Sequence, residues 1–450
     1  MPDRTVTNAA VAGALPEIST AARFFPLLFF EAYLIVSLLS FTYGPHDWNI
    51  DNSLAVLSYA LLGQILIGAG YWVGSAQGPR GLGVERGDFV NITLKVAIIL
   101  TLVLLPPTIS TRNSANLSLL EALADPGAAY QARAEAQFDY LWLSVIRTLL
   151  SPVLSLLLPL GIVFWRCLNL PWRGLWLAAT SGVAIVPLFT GRAFGIFDIT
   201  LTAPWLLWIA VSGVPARARL NALPEHRRKR AILWRRALVA VFVVSVAIPS
   251  LAYFSYSRQS RGGEAHYRRA TGWSEEQYGI SLPEAVEYDV YYVTRYLSLG
   301  YYGLSGSLRL PFEWTGGIGH SAFLRRYAAM VSSDLEWIDE ATYPARLEAV
   351  TGYSSTGSWH TIYPWIASDL TFPGALVFVG LMAFLFARAW SDALMAENPF
   401  ALGFLSQIML MFWYIPANNL RLANPEAAFA FYGLLALWLV TRAGSTTGNG

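Results

Sequence analysis

The chain has 450 residues, of which 55% are hydrophobic and 13% charged, and its formal net charge is +2. A soluble globular chain carries roughly 25% charged residues, so this deficit, spread over repeated apolar runs, excludes an ordinary soluble domain. The near-neutral balance gives no reason to expect a nucleic-acid partner. The single cysteine, Cys167, cannot form an internal disulfide, and no Cys/His cluster has metal-ligand spacing, so no metal or other cofactor is expected.

Residues 1–22 lack a basic stretch followed by a short apolar core and a cleavage site, and read as a short cytoplasmic tail. Ten segments then approach the ~20 apolar residues that cross a bilayer core. They lie near 24–43, 54–75, 89–108, 139–164, 174–190, 195–214, 237–254, 371–390, 400–415 and 427–441. The predicted fold class is an all-α polytopic membrane protein with about ten transmembrane helices and a large, partly helical extracytoplasmic loop. Three parts follow: an N-terminal bundle of about seven helices (1–254), a loop domain (255–370), and about three C-terminal helices with a short tail (371–450).

Positive charge sets the orientation. The stretch 215–236, PARARLNALPEHRRKRAILWRR, holds seven Arg and one Lys against Glu225. Arg80, Arg86, Arg166, Arg173 and Arg442 lie on the same predicted side. Both termini are therefore expected in the cytoplasm, with 109–138 and 255–370 outside.

The segment 255–370 carries nine Arg, no Lys, and many Tyr and Trp. Disordered segments are poor in aromatics, so a folded unit is expected. The stretches 283–299 and 321–338 look helical, and PFEWTGGIGH (311–320) reads as a turn. Both helices could lie flat at the interface, where Tyr and Trp are favoured. Arg forks bind phosphate bidentately, and aromatic faces suit sugars as well as lipid. The bland alternative pairs the Arg with the loop's acids and floats the Tyr at the interface.

Individual residues point the same way. No phosphate-binding glycine loop or zinc-protease motif is present, so energy for synthesis outside the cell must arrive in an activated substrate. His360 stands at the outer end of the eighth helix and could act as a general base. Asp369 could orient it, bind a sugar hydroxyl or cap the helix. Arg192, in a four-residue outer turn, and Arg147, within a span, could meet a lipid pyrophosphate or snorkel to the interface. His320 follows the glycine-rich turn and precedes Arg325 and Arg326.

Three passages, YVTRYLSLGYYGLSGSL (292–308), FEWTGGIGHS (312–321) and WHTIYPWIASDLTFPG (359–374), resemble Wzy-type O-antigen and exopolysaccharide polymerases, which are related to O-antigen ligases. Thr361, Asp369 and Gly374 fill places in a Thr, Asp-Leu/Phe-Gly and Gly pattern, with Pro373 standing near the usual glycine. His360 corresponds to a ligase histidine. Arg295 and Gly306 fit an Arg-x10-Gly pattern, as do Arg261 with Gly272, Arg268 with Gly279 and Arg346 with Gly357.

The resemblance implies a metal-independent glycosyltransferase of the bacterial inner membrane. It would join undecaprenyl-pyrophosphate-linked oligosaccharide repeat units into a surface or secreted polysaccharide at the periplasmic face. His360, Arg295 and Asp369 would be catalytic. Arg192, Arg309, Arg325, Arg326, His320, Tyr301 and Trp314 would hold pyrophosphate or glycan. Membrane lipid, a chain-length regulator and a flippase are the implied partners. The alternatives are a ligase-like glycosyltransferase and a polysaccharide-associated transporter or flippase.

Overall fold

The computed structural model describes residues 18–79, 86–113, 116–135, 141–192, 194–395 and 398–444. Residues 1–17 of the expected tail at 1–22, Arg80 and residues 445–450 lie outside the described residues, and α1 takes in the last three tail positions. Among those described, the chain is helical and holds no strand. Eight helical stretches are long and apolar enough to cross a membrane.

In order, the helices are α1 (Thr20–Tyr43), α2 (Ser53–Ala76), α3 (Arg86–Arg112), α4 (Leu119–Ala124), α5 (Pro126–Glu135), α6 (Leu141–Leu154) and α7 (Leu157–Val163). Next come α8 (Leu170–Ile185), α9 (Phe194–Ser212), α10 (Val214–Asn221), α11 (Glu225–Arg269), α12 (Trp273–Tyr278), α13 (Glu284–Ser307) and α14 (Ala322–Val331). The chain closes with α15 (Trp337–Ala341), α16 (Tyr343–Thr351), α17 (Ile362–Met395), α18 (Pro399–Tyr414), α19 (Leu420–Ala423) and α20 (Pro425–Gly444).

Among the described residues the apolar runs are largely helical, but the run 139–164 is broken between α6 and α7 and the run 174–190 leaves α8 at Ile185. The apolar run 237–254 belongs to a single helix, α11, which continues unbroken to Arg269 and carries the chain well into the loop region. Nothing in 255–269 stops it: the stretch has no proline, and its Gly262-Gly263 pair is tolerated.

The bundle is held by small residues that let backbones approach. The most extensive pairing is α2 with α17, where Gly70 lies against the Gly380 carbonyl and Gly74 against that of Phe384. Helix α13 behaves similarly. Gly300 abuts the Pro416 carbonyl and Gly303 abuts the His360 ring. Tyr301 and Leu304 are buried among Leu38, Phe41 and Ile362. Thus the part of α13 around Tyr301 packs into the bundle beside α1. Burial of the Tyr301 ring and the glycine contacts explain why.

The ends of the bundle differ. One, the loop face, gathers 44–52, α4–α5, the 186–192 turn, the outer part of α11, α12–α16 and the 415–424 connection. Tyr278 hydroxyl donates to the Tyr43 carbonyl, Gly127 N–H to Ser260 Oγ (2.8 Å), and Asn419 Nδ2 to the His320 carbonyl. The opposite face carries the basic α10 and the start of α11. There Arg217 donates to the Ser212 carbonyl (2.8 Å) and Arg235 to that of Val211 (3.3 Å).

Candidate functional site on the loop face

Two constellations meet on the loop face. The first is a basin of arginines around Tyr130. Helix α5 is docked by Asp125, which caps its start through Ala128 N–H (3.0 Å) and accepts from Ser260 Oγ (2.9 Å). Gly191 has φ +58°, and a Cβ there would strike the Pro126 carbonyl, so the α8–α9 turn can pass close under α5. This places Tyr130 between two guanidinium groups. Arg192 lies 5.7 Å and Arg261 4.7 Å from its ring centroid. Arg258, one turn before Arg261 on α11, stacks 4.5 Å from the Tyr296 ring.

Arg112 and Arg147 complete the basin from α3 and α6. Glu426 accepts from Arg147 Nε (2.9 Å) and Nη2 (2.6 Å), and lies 3.5 Å from Arg112. Arg133 on α5 is pulled down to about 10, by burial first and then by the charges of Arg112 and Arg192. Among the described residues no carboxylate pairs with Arg192, Arg258 or Arg261. Arg258 Nε and the hydroxyls of Tyr253 and Tyr296 are also buried without a hydrogen-bond partner. Like charges held together cost energy, and orphaned polar atoms add to that cost. An anion would relieve both.

The second constellation is built on a break in α17. Thr371 has φ 65° and ψ 167°, a conformation that glycine adopts readily and a β-branched residue does not. Pro373, with no N–H to donate, follows it. The interruption frees the Ser368 carbonyl, which takes hydrogen bonds from Thr315 N–H (3.2 Å) and Oγ1 (2.8 Å). The glycine-rich turn 315–320 therefore docks onto the break and wraps Asp369. That carboxylate accepts from Thr315 Oγ1 (2.5 Å), Gly319 N–H (2.9 Å), His320 N–H (2.8 Å) and His320 Nδ1 (2.7 Å).

His320 is thereby oriented. With Nδ1–H donated to Asp369, Nε2 carries the lone pair and accepts from the Tyr432 hydroxyl at 2.9 Å. Tyr432 is partly exposed, about 10 Å along α20 from its start. A base with a fixed tautomer whose Nε2 already meets a hydroxyl is equipped to take a proton from a substrate hydroxyl that replaces Tyr432 there.

The 415–426 connection joins the two constellations. Asn419 holds the His320 carbonyl and the Leu422 carbonyl accepts from Ser321 Oγ. Arg421 binds Asp198 at 2.6 Å on α9, the helix that starts beside Arg192, and Glu426 reaches the basin.

The other residues singled out in the sequence are placed as follows. Asp369 lies two turns inside α17, so it does not cap that helix, and it serves His320 rather than His360. His360 is 1% exposed, packed against Tyr353 and Trp365, with Nε2 3.2 Å from the Ser354 carbonyl and Nδ1 unpartnered. Burial lowers it to about 4, leaving it neutral at pH 7. Arg295 sits 5.9 Å from the Trp48 ring centroid. Arg309 pairs with Asp51. Arg325 clamps the turn through Asp339 and the Gly319 carbonyl. Arg326 and Trp314 are exposed. Tyr301 is buried and bonded to Ser37 Oγ at 2.9 Å, so it cannot touch a ligand on the loop face. Arg147, read as a possible pyrophosphate contact, is occupied by Glu426.

Sequence reasoning missed Tyr130, Arg112, Arg133, Arg258 and Tyr432 as site residues. They come from separate segments, and no spacing links them. The presence of both Arg258 and Arg261 on α11 was the one local signal, since residues three apart share a helix face.

The chain matches no protein-family model, and neither the curated proteins nor the solved structures contain a significant match to it.

Proposed function

We propose that the protein is a polytopic enzyme of the bacterial inner membrane that polymerises lipid-linked oligosaccharide repeat units on its loop face. In this reading about ten helices cross the membrane, α18 and α20 completing the set. The arginine-rich stretch at 214–236 keeps its face cytoplasmic, so the loop face is periplasmic.

The observation that carries the reading is the basin: Arg192, Arg258 and Arg261 lack carboxylate partners among the described residues, with Arg192 and Arg261 flanking Tyr130 and Arg258 one turn away on Tyr296. A pyrophosphate on a lipid is a dianionic-to-trianionic group presented at that depth, and it suits several guanidinium forks. The glycosyl–pyrophosphate bond is the activated bond. An acceptor sugar hydroxyl replaces the Tyr432 hydroxyl at His320 Nε2 and gives its proton there, and its oxygen attacks the anomeric carbon. The carbon–oxygen bond to pyrophosphate breaks, and the leaving lipid pyrophosphate keeps the electron pair and is stabilised by the arginines. Asp369 stabilises the imidazolium that forms.

The test is genetic and chemical. Deleting the gene in the source organism should leave single lipid-linked repeat units and remove the ladder of longer glycan on a gel. A normal ladder would sink the polymerase reading. A single-repeat pattern restored to a ladder by wild type but not by His320→Ala would support the site assignment.

A further inference from the structure

A separate cavity lies between the 44–52 loop, α13 and α16. Its volume is about 420 Å³, within the range of small-molecule sites. Asn49, Asp51, Tyr302, Ser305, Arg309 and Thr351 supply its polar lining. The wall is preformed. Asn52 Nδ2 donates to the Ser305 carbonyl (2.9 Å), and Ser305 Oγ donates to Asn52 Oδ1. Asn49 holds φ +41° at the edge.

The chemistry of the lining selects the ligand. Asp51 and Arg309 face each other as an ion pair, so their formal charges cancel. That disfavours a free anion or cation. Arg309 is about half exposed and Asp51 mostly exposed, which leaves lone pairs and N–H groups for a ligand. A carboxylate, a guanidinium, an amide and two hydroxyls offer donors and acceptors at close spacing, and Tyr302 adds an aromatic ring. Trp48 stands 5.9 Å from the Tyr302 ring centroid, with a buried, unpartnered Nε1. Ile50 and Leu347 add an apolar side to a lining that is otherwise polar, and the combination suits vicinal hydroxyls with a C–H face.

We propose that this cavity is a glycan-binding subsite, taking one or two uncharged sugar units of the oligosaccharide substrate. The inference rests on the polymerase reading, and it assigns Arg309 to sugar rather than to pyrophosphate.

The probe is the oligosaccharide released by mild acid from the lipid fraction of the gene-deleted strain and labelled with 2-aminobenzamide at its reducing end. It is titrated onto the full-length protein in detergent. Wild type should bind it, and Asp51→Asn and Arg309→Gln should each weaken binding at least tenfold while melting at the wild-type temperature. Because Asp51→Asn is nearly isosteric and exposed, it tests the site even if Arg309→Gln unfolds. Inorganic pyrophosphate, which addresses the arginine basin, should not displace the probe. Equal binding by wild type and Asp51→Asn, no binding by wild type, or displacement by pyrophosphate would each overturn the subsite and leave the polymerase reading standing. A lipid fraction holding no oligosaccharide would overturn both.

Discussion

The arginines at the two ends of the bundle differ in what surrounds them. On the face opposite the loops, Arg442 is buried with Nε 2.8 Å from Asp392 Oδ2, which also accepts from Trp438 Nε1 at 3.0 Å. Arg421, nearer the loop face but inside the helices, is likewise matched by Asp198. Arg192, Arg258 and Arg261 instead meet aromatic rings, and Arg261 also donates to the Ser257 carbonyl and hydroxyl. Identical side chains thus serve as internal struts at one place and as an anion-ready surface at another. The decisive variable is the partner, since a paired buried charge is stable and an unmatched cluster is held in place by the surrounding fold.

Five substitutions or titrations break or sharpen that contrast. The largest effect is expected at His320. His320→Gln should lower polymerisation by about 10²–10⁴-fold, the usual contribution of general-base catalysis, measured as transfer of labelled lipid-linked repeat units in detergent. Undiminished transfer would remove His320 from the chemistry.

Next is Arg442→Ala, which strips Asp392 of its buried guanidinium and should cost about 3–5 kcal/mol of stability. Thermal melting and membrane yield report it. A variant as stable as wild type would show that the pair is not a strut.

Acid titration should give a smaller loss. The folded pKa of His360 is lowered to about 4 by burial, and that of His46 to about 4 by burial and the charge of Arg295. The unfolded chain therefore binds more protons between about pH 6.5 and 4. Stability is full above about pH 6.5 and falls as pH drops towards 4. His360→Gln should flatten that fall by at most about 3 kcal/mol. An unchanged melting profile from pH 8 to 5 in both proteins would refute it.

Arg192→Ala, at an exposed position, should leave stability nearly unchanged, within about 0.5 kcal/mol, while weakening lipid-pyrophosphate turnover about 10- to 100-fold for a lost charge-assisted contact. Loss of stability without loss of turnover would reverse the comparison. The smallest effect belongs to Tyr301→Phe, which removes the hydrogen bond to Ser37. It should cost about 1 kcal/mol and leave glycan length unaltered, as a core residue must; a shortened ladder would place Tyr301 in the site.

Much of the secondary structure was legible. Hydropathy located the apolar helices. The patterns at 283–299 and 321–338 marked α13 and the α14–α15 region, and Gly316, Gly317 and Gly319 marked the turn. The length of α11 was less visible, because polar residues beyond the apolar run look like loop when read by hydropathy alone. The site was half legible. His320, Asp369 and Arg192 were named, but Asp369 was linked to His360, nine positions away along the chain. Thr371 decided otherwise. Its left-handed conformation interrupts α17 and frees the Ser368 carbonyl, and the 315–320 turn closes on that gap, bringing His320 rather than His360 to the carboxylate.

By itself, the sequence determined that this chain is helical, that its long apolar helices suit a bilayer, and that one segment concentrates arginines and aromatics. Those properties follow from local composition and periodicity. Only the tertiary structure decided which arginines are neutralised, which histidine has a carboxylate on one nitrogen and a hydroxyl on the other, and that Asp51 and Arg309 line a polar cavity. Such pairings join positions tens to hundreds of residues apart, and they depend on helix packing, which no local pattern encodes.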